Sequence, residues 1–590
     1  MQAIARVHPY FATDVWLSGT SQDAFTLFTP LYAALIQKLG IIGASTLLFA
    51  LCTAGYLFAA WLLIRRLFDC RAAYLTVAIL ICVSSEYGAW SIFNCVEDFL
   101  TARSVAEACV VGSIAAYYWQ RPWVAAGLLG VGMLFHPLMA LPGLLLLLCL
   151  IAPARVAAMA ASVALAGVAL ASLAAVHGFV PLPFFKPMEP AWVEIVEQRS
   201  FFLFLKDWRV VDWEVQLRPL LFLAVAQAVI ADAKIRKLCW AAGLVGLSGL
   251  ALAAAPDVIG PIPILLQGQA WRWVWITCTV ALCMVAPSAS LAWRIGGWGR
   301  LCASLMVMGW VFRPIDGEFA FAAAGLIWAA RSYTRDSKRV LEFAAYTIVG
   351  IITVWTVSNV WQLVDNTVLH SKRAVDPIDF TRWMFSLAPL ALACAWFLYS
   401  AVRQFRSAPI LAPCLLAALA ICFLPSSLFW PPGFIAVRLQ DQYKTWREAI
   451  PESSSVLVLA APPVSAIFPW FTLERTSYTS ASQSAGVVFS EKISAEIRRR
   501  SEVLKPVIPP DWRILSPLQH PPSKNPTGAL TPPSLTAKSL EEICQDVQLG
   551  FVVAKDDVGF SPIKHTDGGD YMNWNLYDCR RVRATSSNTK

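Results

Sequence analysis

The sequence predicts a mainly α fold, a polytopic membrane helix bundle of about 12–14 spans, followed by a small C-terminal extracytoplasmic α/β domain. Three observations predict it. Of 590 residues, 57% are hydrophobic and 14% charged, at a mean hydropathy of +0.58, whereas soluble domains run near a quarter charged. Apolar runs recur at 41–64, 72–90, 104–119, 122–136, 138–152, 156–176, 218–231, 238–255, 273–292, 300–313, 317–330, 340–361, 383–402 and 409–430. After residue 431 the composition turns polar and the periodicities become those of a soluble domain.

Each run is justified by length and content. Several fall short of the ~20 residues that cross a bilayer upright. The pair 122–136 and 138–152 can therefore be re-entrant or shielded by neighbours. Twenty-five Trp and 32 Phe fit many bilayer interfaces. The net charge of +9 is scattered in short clusters rather than gathered into a stripe, which argues against a nucleic-acid partner. Arg65, Arg66 and Arg71 flank one connector, and Lys234, Arg236 and Lys237 another. Arg331, Arg335, Lys338 and Arg339 mark a third, Arg403 and Arg406 a fourth. All four share one side if the runs alternate, and that side is cytoplasmic. The exported side then holds loops 86–103, 177–217, 256–272 and 362–382, the tail 1–40, and 431–590. In a bacterium this describes a multi-pass protein of the inner (cytoplasmic) membrane.

The tail 1–40 has no apolar run or signal peptide. Either it is translocated, being neutral with Arg6 and Lys38 against Asp14 and Asp23, or an upstream helix precedes it. The domains are thus 1–40, the membrane part 41–430, and 431–590. Within the last, "SSVLVLAAP", "LGFVVA" and "NWNLYDC" read as strands, "SEKISAEIRRRSEVL" and "SLEEICQDV" as helices. Nine prolines in 506–533 mark an irregular excursion. No Gly-rich phosphate loop follows the first strand, which argues against nucleotide binding. Cys544 and Cys579 are the only cysteines of this part. An oxidising compartment would join them; otherwise they are two separate thiols.

Candidate chemistry lies on the exported side. Asp14, Asp23, Glu86, Glu97 and Asp98 can each serve as a general base or hold a divalent cation beside a phosphate. Arg103, Arg272 and Arg313 either snorkel to the interface or converge on a phosphate, which arginine grips through its planar fork. Loop 177–217 carries nine Phe/Trp. Its stretch "AWVEIVEQRSFFLFL", with Trp192 and Arg199, is either an interfacial anchor or a cover over a lipid-linked substrate. "FHPLMALPG" is an odd insertion in an apolar run. His136 there is either a polar turn, broken by Pro137, or a hydrogen-bond donor to substrate.

The order of these pieces carries a resemblance. "HPYFATDVWLSGTSQDAFTLFTP" precedes a span, "VEDFLTARSVAEA" opens a later one, and "GLLGVGMLFHPLMALP" follows a short turn. "EQRSFFLFLKDW", "LLQGQAWRW" and a soluble tail complete the layout. It resembles bacterial members of the GT-C superfamily, multi-span glycosyltransferases that use polyprenyl-phosphate-linked sugars. The resemblance implies a sugar donor on a polyprenyl phosphate, contact with membrane lipid, and a glycan, lipid or protein acceptor. It also implies a catalytic acid in the first exported loop, for which Asp14 is the matching position and Asp23 the reserve. Glu97, Arg103, His136, Trp192, Arg199 and Arg272 are the expected substrate contacts. Two other classes compete: a transporter or flippase for a lipid-linked saccharide, and a non-catalytic membrane component of a polysaccharide assembly machine.

Overall fold

The computed structural model describes residues 1–153, 186–364, 436–508 and 534–588, with breaks at 19–21, 84–85, 96, 98–99, 313–316, 333–337, 461–463, 561 and 569–571, and isolated positions between 154 and 185. The runs expected at 156–176, 383–402 and 409–430, most of the proline-rich excursion, Asp98 and Arg313 lie outside the described residues.

The remaining runs fold as helices at nearly the expected places. With α1 and α7 formed outside those runs and the run 72–90 helical only to Cys82, the helices in chain order are α1 (Gln2–Val7), α2 (Phe28–Leu67), α3 (Cys70–Cys82), α4 (Ala102–Tyr118), α5 (Pro122–Phe135), α6 (Pro137–Ile151), α7 (Pro190–Ser200), α8 (Val210–Val229), α9 (Ala233–Ala253), α10 (Val274–Arg294), α11 (Gly297–Val311), α12 (Glu318–Ala330) and α13 (Lys338–Val364). Among the described residues, four helical stretches are long and apolar enough to cross a membrane: Phe28–Leu67, Ala233–Ile259, Pro263–Arg294 and Lys338–Thr356. Helices α5 and α6, of 14 and 15 residues, reach only about 21–23 Å at 1.5 Å per residue. They form a short broken pair, as their lengths allowed.

The N-terminal region departs from the expected featureless tail. It holds α1, short 3₁₀ turns and the first third of α2. Gly40, at φ +68°, bends α2 sharply. Tyr32 Oη and Ser45 Oγ hydrogen-bond across that bend; along a straight helix they would stand about 20 Å apart. The run Phe28–Leu39 has enough apolar residues for a helix, but Gly40 stops it from continuing one span.

Helix α10 is the hub of the bundle, with Trp275, Ile276, Cys278, Leu282, Cys283 and Met284 all fully buried. Between α8 and α12 an ion pair, Arg218–Glu318 at 3.0 Å, is enclosed in the apolar interior. Neither charge could stay there without the other.

The C-terminal part is an α/β unit, with the expected strands and helices in the expected order. Its sheet runs β4-β3-β5-β7-β6, from β3 (Ser455–Val458), β4 (Thr476–Ser477), β5 (Phe551–Ala554), β6 (Lys564–Gly568) and β7 (Met572–Asp578). β3 pairs in parallel with β4 and β5, and β7 is antiparallel to β5 and β6. Period-two alternation sends Phe551 and Val553 to one face, with Val456, Val458 and Trp446. It sends Val552 and Ala554 to the other, with Leu457, Leu540 and Tyr577. Helices α14 (Glu491–Val503), α15 (Ala537–Ile543) and α16 (Cys579–Asn588) flank it. The short strands β4 and β6 and helix α16 have no strong pattern of their own. A disulfide joins Cys544 and Cys579, at a Cα separation of 5.0 Å, and ties the start of α16 to the end of α15.

This unit is seated on the bundle. Val487, Val488, Ile493 and Ile497 belong to the same core as the membrane helices. The N-terminal segment, α7 and the stretch before α10 all meet it.

Candidate functional site

A short hairpin, β1 (Glu86–Tyr87) with β2 (Phe93–Asn94), projects from the end of α3 toward the loop before α10. Gly88 forms its turn at φ +79°. A Cβ there would stand 2.1 Å from the Trp271 ring, so only glycine fits. Gln216 of α8 pairs with the same residue as a strand would: its Nε2 donates to Gly88 O at 2.9 Å, and Gly88 N donates to its Oε1 at 3.0 Å. Asp212 accepts from Trp90 N at 2.7 Å, and the Arg209 guanidinium lies 3.7 Å from the Trp90 ring centroid. Gly88, Asp212 and Gln216 escape sequence reading, since "VDWEVQLRP" looks like an ordinary span entrance.

On this platform four of the expected contact residues converge. Arg103, in the first turn of α4, forms an ion pair with Glu97. Its guanidinium lies 4.4 Å from the Phe93 centroid, and that of Arg272 lies 4.5 Å from the same ring. Arg272 comes from the turn before α10, after Gln269 adopts a left-handed φ of +43°. Glu97 also accepts from Thr101 Oγ1 at 2.7 Å. His136, between α5 and α6, lies within electrostatic range of both arginines. Its Nδ1 accepts from Met139 N at 3.3 Å, which assigns the ring proton to Nε2. The broken helix and the polar role are thus one feature. Pro137 ends α5, and His136 caps α6.

The cluster is under-satisfied. Arg103 Nε, Arg272 Nε, Tyr87 Oη, Glu107 Oε1 and Gln269 Oε1 are buried with no hydrogen-bond partner among the described residues. Buried polar atoms are nearly always paired, with protein, water or ligand. The two unmet guanidinium nitrogens are donors of the kind an oxyanion takes, while Glu107 Oε1 and Gln269 Oε1 are unmet acceptors beside them.

Three other expected residues lie elsewhere. Trp192 and Arg199 do not reach this cluster. Trp192 Nε1 donates to Val487 O at 2.7 Å; Arg199 Nε donates to Ala481 O at 3.2 Å and Ser484 Oγ at 2.7 Å. Both hold α7 to the C-terminal unit. Asp14 is 1% exposed. Its Oδ2 accepts from Trp470 Nε1 at 2.9 Å and Ser477 N at 3.2 Å, its Oδ1 from Trp16 N at 3.0 Å, and Gln483 Nε2 reaches both oxygens at 3.0 Å. Burial raises its pKa above the usual carboxylate value, against these hydrogen bonds. A carboxylate so enclosed has no face left for an acceptor hydroxyl. Asp23, the reserve, pairs with Arg6 at 2.7 Å. Among the described residues, no group of three His, Cys, Asp or Glu side chains is placed to hold a metal ion.

No family model matches this chain, and neither does any curated protein or solved structure.

Proposed function

We propose that the chain is a bacterial inner-membrane glycosyltransferase of GT-C type, moving a sugar from a polyprenyl-phosphate-linked donor to an acceptor on the extracytoplasmic side. The observation that carries this reading is the Arg103–Arg272 pair around Phe93, with Glu97 and His136 beside it. Nucleotide sugars are cytoplasmic, so a transferase working outside needs a donor carried by a lipid. Such a donor puts its phosphate at the headgroup layer, near the ends of α4 and α10. The layout of polar stretches along the chain supports the same class.

The chemistry assigns roles. The donor phosphate takes the two arginines and loosens Arg103 from Glu97. Glu97, rather than the enclosed Asp14, then accepts the proton of the acceptor hydroxyl. The acceptor oxygen bonds to the anomeric carbon while the carbon–oxygen bond to phosphate breaks. That electron pair leaves on the polyprenyl phosphate, whose charge the guanidiniums meet. The His136 Nε2–H is a further donor to the phosphate. The extracytoplasmic placement rests on the basic connectors and on the cysteine pair of the C-terminal unit.

The test is transfer by the purified protein in lipid nanodiscs, from radiolabelled polyprenyl-phosphate sugars to a membrane-glycan extract. Glu97→Gln is expected to slow transfer by ~10²–10⁴-fold, as for loss of a positioned base, without reducing donor binding. Donor binding with no transfer by the parent protein would discard the enzyme in favour of a lipid-saccharide carrier.

A further inference from the structure

Asp14 hydrogen-bonds to neither arginine of the pair, yet four donors engage its two carboxylate oxygens. Every partner is a donor, and three of the four belong to the C-terminal unit: Trp470, Ser477 and Gln483. Trp16 adds packing. Its ring stacks on Trp470 at 6.0 Å, and a Cβ on Gly486 would meet it at 2.8 Å. The N-terminal segment is therefore keyed into the stretch 470–488.

From this key, two routes lead to the pocket. The first runs through the N-terminal segment. Arg6 donates to Asp23 through Nε at 3.0 Å and through its terminal nitrogen at 2.7 Å, making α1 and the turn at 22–25 one piece. That piece ends on α5. Thr26 Oγ1 donates to Phe135 O at 2.7 Å, and Leu27 N to Leu134 O at 2.9 Å. Pro137 has no N–H and the helix breaks at His136, so these terminal carbonyls lack intrahelical donors. Residues 26–27 supply them, and so fix the turn that presents His136. The second route runs through 481–488. Gln267 Nε2 donates to Val488 O at 3.1 Å, five residues before Arg272, beside the anchors from Trp192 and Arg199.

We propose that Asp14 is a positioning residue: its buried carboxylate locks the 470–488 stretch onto the N-terminal segment, and that lock holds the His136 turn and the Arg272 loop in register. The chain's four pocket residues come from three separate loops, and no covalent link joins them. A clamp on the covering unit is what gives them one geometry. The inference concerns the pocket of the proposed transferase but does not need that reaction to be correct.

Hydrogen–deuterium exchange of the full chain in nanodiscs tests it. In Asp14→Asn, one donor-facing oxygen is replaced by an amide that meets only donors. Exchange is expected to rise on the order of tenfold in 470–490, in 132–140 and in 263–273, with 276–290 of α10 unchanged as the internal control. Thr26→Val, which keeps the shape but removes the donor, is expected to raise exchange at Leu27 and 132–140 while leaving 470–490 and 263–273 as they were. Asp14→Asn effects confined to 1–18 and 470–490, or a Thr26→Val variant with unchanged 132–140, would overturn the proposal. If Asp14→Asn fails to accumulate, Gln483→Met breaks the same lock from the other side and is read over the same segments. Failure of sugar transfer leaves these exchange results standing, and failure of the exchange test leaves the transfer assay standing.

Discussion

Arg103 and Arg272 place their guanidiniums 4.4 and 4.5 Å from the centroid of one ring, Phe93. Like charges this close repel, and among the described residues Glu97 forms its ion pair with Arg103 alone. A guanidinium over the ring face gains about 0.5–2 kcal/mol. Glu107 is a second buried carboxylate beside Arg103, and an anion held by both guanidiniums would relieve the repulsion between them.

Arg272→Lys keeps that charge and loses the planar fork. It is expected to weaken binding of polyprenyl phosphate in nanodiscs by about tenfold, and Arg272→Met by more. Titration calorimetry at fixed salt reads both. Parent-like affinity in the methionine variant would remove Arg272 from the site.

Much of this was legible in the sequence, and the boundary has a physical cause. Helix positions followed from apolar runs, because burial in lipid or core needs continuous apolar stretches. Glu97, Arg103, His136 and Arg272 stood out because each is a costly residue at a span's end. Trp192 and Arg199 looked alike for the same reason, but their partners lie nearly three hundred residues away, at 481–487. Local patterning carries no information on such pairs. Asp14 shows the same limit. A carboxylate between aromatic residues reads as reactive until Trp470 and Gln483 are seen to enclose it. Gly88 and Gln216 were invisible, since a hairpin turn fitted against one tryptophan is a tertiary fact.

The Cys544–Cys579 bridge closes a separation of 35 residues. In the chain-entropy model a loop of that length stabilises the folded state by about 3–4 kcal/mol. Replacing both cysteines with serine is expected to lower the first thermal transition by several degrees, read by tryptophan fluorescence. Peptide mapping without reductant should recover the linked pair from the parent protein. Two alkylated thiols in protein isolated under thiol-blocking conditions would dismiss the bridge.

Orientation has its own test. If the apolar runs alternate across a bilayer, the proposed orientation puts the four basic connectors and the C-terminal unit on opposite sides. A reporter that matures only by forming disulfides, fused after Lys590, is expected to be active. A fused reporter that works only in the cytoplasm is expected to be silent. The reverse pair of results would invert the topology and, with it, the lipid-linked donor.

Asp14 makes a prediction about pH, because burial and hydrogen bonding pull its pKa in opposite directions and burial prevails. A carboxyl with a raised folded-state pKa binds a proton in the folded chain at pH values where the unfolded chain has released it. In that window the slope of unfolding free energy with pH is negative, so acidification stabilises the fold through this group. The window opens at the raised folded-state pKa and closes at the ordinary carboxyl value of 3.8. The amide of the Asp14→Asn variant does not titrate. The thermal midpoint of the parent minus that of the variant should therefore grow as pH falls from 7 toward 4. A difference that shrinks over the same range would mean the donors outweigh desolvation, and that Asp14 is held ionised as a charged lock.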